Sequence, residues 1–181
     1  MKFVNLLAIL SILAFASCNN DDNESNPLPT IEDYTIEHAE EHSHERASSE
    51  DEGETVVAPG EELAVTAKLS GNKLSYVQID IHWGEGHDHD RVKSTDDGEW
   101  SQKITYWFGK TEEDAGPNDI ILSSVNPDSW PFDAHIDVPE EVDGVETKAG
   151  DYHFVMYLVD LEGQQTTQAL TVEVHHEDHD H

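Results

Sequence analysis

From residue 60 onward apolar residues recur at every second position, the period of a half-buried strand. In Leu63–Leu69 the odd positions Leu63, Val65, Ala67 and Leu69 share one face. In Leu74–Trp83, Val77, Ile79 and Ile81 face one way while Gln78, Asp80 and His82 face the other. Trp100–Phe108 alternates through Ile104 and Tyr106, with Trp100 at a core position. Phe132–Val138 turns Ala134, Ile136 and Val138 inward and His135 and Asp137 outward. Tyr152–Asp160 is apolar on both faces, as a central strand requires. Thr166–Val174 ends the set with Leu170, Val172 and Val174 inward, and Thr30–Glu37 is an earlier strand. Turn signals separate these runs: Ser70-Gly71-Asn72, Asp96-Asp97-Gly98, Lys148-Ala149-Gly150 and Leu161-Glu162-Gly163. About seven short strands punctuated by turns predict an all-β sandwich.

The chain before this region has a different character. Lys2 precedes an apolar run from Phe3 to Phe15, broken only by Asn5 and Ser11, too short to span a bilayer but built like a secretory signal. Ala16 and Ser17 lead into Cys18, and this junction resembles the lipobox of bacterial lipoproteins, which implies a lipidated Cys18 after removal of residues 1–17. Ordinary cleavage leaving a free cysteine is the alternative. Residues 18–29 are polar, acidic and proline-containing, which suits a flexible tether. Acidic residues just behind the cysteine are similar to the export signal of Bacteroidota surface lipoproteins. The expected location is therefore the outer membrane, lipid-anchored and facing outward.

Ala149-Gly150-Asp151-Tyr152, followed by Phe154, Met156, Leu158 and then Asp160-Leu161-Glu162-Gly163-Gln164, is similar to the last hairpin of bacterial immunoglobulin-like domains. Tyr152 falls where that fold carries its corner tyrosine. More narrowly, Ala58-Pro59-Gly60-Glu61, Ile79-Asp80-Ile81-His82, His135-Ile136-Asp137-Val138-Pro139 and Gly150-Asp151-Tyr152-His153-Phe154 resemble a family of histidine-rich Bacteroidota lipoproteins of that fold. The resemblance covers roughly residues 56–175 and implies an immunoglobulin-like sandwich over 30–175, with no activity to carry over. A histidine- and acid-rich insertion at 38–55, an acidic loop at 109–131 and a His/Asp-rich tail at 176–181 are read as local elaborations.

Charge narrows the function classes. With 9 Lys and Arg against 40 Asp and Glu, the net charge is -31, and such a surface repels phosphate backbones, excluding nucleic acid as a partner. One cysteine excludes a disulfide framework and a thiolate metal site.

The surplus is in histidine, with 12 copies in four groups. His38, His42 and His44 lie in the insertion; His82, His87 and His89 follow the third strand; His135 and His153 flank the turn into the sixth; His175, His176, His179 and His181 end the chain. Immunoglobulin topology would bring all four groups to one pole, opposite the tether. There the third and sixth strands are antiparallel neighbours, and His82 and His153 are both outward by parity. With His87 and His89 overhead they offer three or four imidazoles, a set suited to Zn²⁺ and also to Cu²⁺ or Ni²⁺. Asp80, Glu85, Asp88 and Asp90 are available to orient the rings. His135 is a further candidate ligand; His38, His42, His44, His175, His176, His179 and His181 are secondary ones.

These features lead to an expected cell-surface protein that captures, buffers or delivers divalent metal, with an outer-membrane transporter as a partner class. The alternative is a noncatalytic module docking a membrane protein or glycan, with histidines as pH-sensitive surface groups. A calcium-stabilised adhesion domain is less consistent with the histidines, and no DxDxDG-type loop occurs. No HExxH, GxSxG or nucleophile–base pair accompanies the histidines, so the chain is not read as an enzyme.

Overall fold

The computed structural model describes residues 27–39, 55–84 and 98–176. Eleven strands follow in chain order: β1 (Thr30–His38), β2 (Thr55–Val57), β3 (Glu62–Ser70), β4 (Leu74–Trp83), β5 (Gln102–Phe108), β6 (Ile120–Ser123), β7 (Ser129–Asp137), β8 (Glu141–Val142), β9 (Val145–Glu146), β10 (Gly150–Asp160) and β11 (Gln165–Val174). They form a three-stranded sheet, β1-β3-β7, and a six-stranded sheet, β2-β11-β10-β4-β5-β6, with β8 and β9 as a small separate hairpin. Consecutive strands β3 and β4 belong to different sheets, so the chain forms an immunoglobulin-like β-sandwich.

Alternation in the sequence becomes the core directly. Leu63, Val65 and Leu69 of β3 face Val77, Ile79 and Ile81 of β4, all at most 2% exposed, together with Phe132 and Ile136 of β7 and Phe154, Met156 and Leu158 of β10. Trp100 is buried beside Tyr152 and Phe154, with ring centroids 5.7 Å from each. The central position of β10 shows in Val155 and Val159, which are buried on its second face as well. The Tyr152 hydroxyl donates to the carbonyl of Lys148 at 2.8 Å and accepts the Trp100 amide at 3.4 Å, closing the corner before β10.

Some of the fold departs from the expected strands. The region expected as an acidic loop at 109–131 contains β6, parallel to β5, and the start of β7. β2 is a three-residue strand parallel to β11. Both are short edge strands organised by a longer neighbour, so their own sequence carries little periodic signal. In β1 the register shifts between Glu32 and Thr35, where Asp33 takes φ 50°; this bulge turns Tyr34 and Ile36 inward.

The register also fixes the two poles. β1 begins opposite Ser70 at the end of β3, whereas it ends at His38, opposite Leu63. At that second pole lie the end of β4, with Trp83 opposite Tyr152, the end of β7, with Asp137 opposite Glu62, and the end of β11, with Val174 opposite Gly150. Six histidines of the described residues (His38, His82, His135, His153, His175 and His176) lie toward this pole. His42, His44, His87, His89, His179, His181 and Cys18 lie outside the described residues.

Candidate metal centre

β4 and β10 run antiparallel, and His82 stands directly opposite His153. Ile81 precedes His82 and is buried, and Tyr152 and Phe154 flank His153 and are buried. Alternation therefore turns both imidazoles to the outer face of the six-stranded sheet. Their ring centroids are 5.6 Å apart and the rings are tilted by 34°. A ring bound to zinc at about 2.0–2.1 Å has its centroid about 3.2 Å from the ion, so two rings on one ion lie at most about 6.4 Å apart and about 5.2 Å apart at a tetrahedral angle. The observed spacing falls between those limits.

On the same face, two residues before His82, Asp80 places Oδ1 3.9 Å from His82 Nδ1. Its Oδ2 is 3.1 Å from the ammonium of Lys103, which β5 sets opposite Asp80. The carboxylate thus lies between an imidazole and a cation. The end of β4 is braced by Trp83. Its indole N–H donates to Ala149 O at 3.4 Å, and Lys148 Nζ lies 3.5 Å over its ring while pairing with Glu99 at 3.0 Å. Among the described residues no three histidine, cysteine or acidic side chains converge closely enough to hold an ion.

The remaining described histidines lie apart from this pair. His135 stands on β7 of the three-stranded sheet, exposed on the outer face opposite to the pair's, with Nδ1 3.2 Å from Glu62 and Nε2 3.9 Å from Asp133. His135 and His153 flank the turn before β10 along the chain, and they stand on different sheets. His38 ends β1, its Nε2 2.5 Å from Val56 O and its Nδ1 3.7 Å from Glu61. The backbone amide of His175 donates to Val57 O at 2.9 Å. His176 places Nε2 2.6 Å from Thr147 O and Nδ1 3.5 Å from Glu146. Glu61, Glu62 and Glu146 meet these histidines through pairings of different segments, which carry no local signal in the sequence.

Together these features define an immunoglobulin-like β-sandwich with histidines gathered toward the pole opposite the start of β1. The family model described as "Domain of unknown function (DUF4625)" matches residues 16–175, and the chain belongs to that family. No curated protein matches it. Among solved structures it is similar to wild-type OgpA from Akkermansia muciniphila, at 12% identity and a TM-score of 0.46, over 83% of this chain and 29% of that one. Spo0M, the sporulation control protein of Bacillus subtilis, shares 12% identity at a TM-score of 0.40, over 82% of this chain and 49% of its own. The CARDB domain of the PF1109 protein from Pyrococcus furiosus, solved in complex with di-metal ions, shares 10% identity at a TM-score of 0.29, over 87% and 97%. The chain thus spans less than two thirds of the first two.

Proposed function

We propose that this protein is a noncatalytic lipoprotein of the cell surface that binds a divalent transition metal, zinc before copper(II) or nickel(II), for capture, buffering or delivery to an outer-membrane transporter. The observation that carries the reading is the cross-strand pair His82–His153, whose 5.6 Å spacing suits two imidazoles on one ion. His87 and His89 follow His82 closely in sequence and are the nearest further ligands along the chain. Neutral imidazoles without thiolates favour zinc, copper(II) and nickel(II) over copper(I) or calcium.

The surface location rests on the lipobox-like Ala16-Ser17-Cys18, the acidic residues behind it, and the resemblance to histidine-rich Bacteroidota lipoproteins. β1 begins at the pole away from the histidines, so a tether ending at Thr30 would leave the histidine pole facing outward.

The test is calorimetric titration of zinc into the full-length chain, purified without nickel resin, beside a His82→Ala/His153→Ala variant. We expect micromolar or tighter binding that the double substitution abolishes. Undiminished binding in the variant would remove the pair from the site, and no binding by the parent chain would remove the function.

A second reading is favoured by His135, which lies between Glu62 and Asp133 on the other outer face. There the histidines would be pH-responsive groups on a module that docks a membrane protein or glycan. That reading requires no stoichiometric metal at neutral pH and partner binding that changes between about pH 5 and 7.

A further inference from the structure

Two histidines outside the β4–β10 pair are held in the same chemical setting. His38 Nε2 is 2.5 Å from the carbonyl of Val56, and His176 Nε2 is 2.6 Å from the carbonyl of Thr147. A carbonyl oxygen only accepts, so in each ring Nε2 carries the proton and donates it. In the neutral imidazole the other nitrogen, Nδ1, then bears the lone pair. A carboxylate lies close to that nitrogen in both places: Glu61 Oε2 at 3.7 Å from His38 Nδ1, and Glu146 Oε1 at 3.5 Å from His176 Nδ1.

A lone pair and a carboxylate oxygen are both acceptors, and a cation between them satisfies both. A zinc ion with bonds of about 2.0–2.2 Å to nitrogen and oxygen would set those atoms about 3.4 Å apart at a tetrahedral angle. The two observed separations are within a few tenths of an ångström of that value. A hydrogen bond from the non-ligating N–H to a backbone carbonyl is also how metal-bound imidazoles are commonly oriented. Glu61 is held as well, since the Ala58 amide donates to the same Oε2 at 2.7 Å. His38 and Glu61 are each about half exposed, so an ion reaches them from solvent.

We infer that His38 with Glu61, and His176 with Glu146, form a second class of zinc site at this pole, each binding through imidazole Nδ1 and one carboxylate oxygen. The inference shares with the proposed function only the premise that this pole meets a transition metal; it stands on different residues. Solvent water completes each shell, which makes these dyads weaker and more rapidly exchanging than a site with three protein ligands.

The experiment is long-range ¹H–¹⁵N NMR of the imidazoles in the full-length chain near pH 7.5, before and during addition of zinc. Before zinc, His38 and His176 are expected as Nε2–H tautomers; with zinc, their Nδ1 resonances shift. Glu61→Gln should weaken the His38 response by about tenfold or more, the lower end of what losing a partner at a metal site costs, and leave His176 unchanged. Nδ1–H tautomers, a zinc shift at Nε2, no zinc shift, or an unaltered His38 response in Glu61→Gln would each overturn the inference. The tautomer is read in the unsubstituted chain, so it does not depend on a variant folding. In the His82→Ala/His153→Ala variant the Nδ1 shifts of His38 and His176 should persist. If His38 and His176 respond while His82 and His153 do not, the proposed centre fails and the dyads stand.

Discussion

The indole N–H of Trp107 donates to Asp119 Oδ1 at 2.8 Å, while the Lys110 ammonium lies 3.3 Å over the same ring and 3.2 Å from Asp119 Oδ2. Asp119 Oδ2 also accepts the Gly116 amide at 2.9 Å. One carboxylate therefore ties the segment after β5 to an aromatic residue on the outer face of the six-stranded sheet.

The Gly116 amide first, and then Lys110, hold the Asp119 carboxyl below its ordinary value of 3.8, and its partial burial opposes them. A lowered folded-state value means that the contribution is present above the unfolded value and is lost as pH falls through the folded one. Acid below about pH 4 should thus loosen the 109–119 segment. Tryptophan fluorescence followed from neutral pH downward should show a step there, and Asp119→Asn should remove it. A step of equal size in the variant would show that the carboxylate is not its cause.

At the other pole the corner tyrosine sets a stability prediction. Tyr152→Phe removes the donor to Lys148 O and the acceptor of the Trp100 amide. A loss of about 1–2 kcal/mol is expected, since buried polar groups lose a partner. Urea unfolding should show a lower midpoint with an unchanged slope.

Gly150 has φ 128°, and a Cβ there would lie 2.9 Å from Trp83 Nε1. Gly150→Ala is expected to cost about 1–3 kcal/mol, because an L-residue is strained in that conformation and Trp83 has to shift. A thermal midpoint within error of the parent's would contradict this close approach.

Asp160 is 2% exposed, and its Oδ1 accepts the amides of Glu162 and Gln164, both at 2.9 Å, closing the β10–β11 turn. Asp160→Ala leaves two amides without that acceptor and should cost about 1–3 kcal/mol. Asp160→Asn keeps an acceptor oxygen and should recover most of the loss in the same unfolding measurement.

Zinc affinity at the His82–His153 pair should respond to its neighbours and to pH. Lys103→Gln removes a positive charge that pairs with Asp80 and repels an incoming cation, and a tightening of about two- to fivefold is expected from an exposed pair of this kind. Binding should weaken in acid, because an imidazole must be neutral to ligate. Calorimetry across a pH series checks both; a weaker Lys103→Gln complex would assign Lys103 a different role.

Much of the sandwich was readable because a half-buried strand writes its inward face as a period of two. β3, β4 and β7 show that period, β10 is apolar on both faces as a central strand, and Trp100 and Tyr152 occupy the core and corner positions expected of them. β2 and β6 were missed because they are three and four residues long and take their hydrogen bonds from neighbours distant in sequence. For the candidate centre, the outward parity of His82 and His153 was legible within each strand. That the two residues stand directly opposite each other belongs to the β4–β10 register.

By itself, then, the sequence determined an acidic all-β chain, which residues face inward, and which histidines remain on the surface. These follow from local alternation and charge, which need no knowledge of distant partners. Tertiary structure alone decided that His82 meets His153, that His135 lies across the sandwich from them, and that His38 and His176 turn Nδ1 toward Glu61 and Glu146. Those relationships join residues far apart along the chain, and only sheet order and register bring them within range of one another.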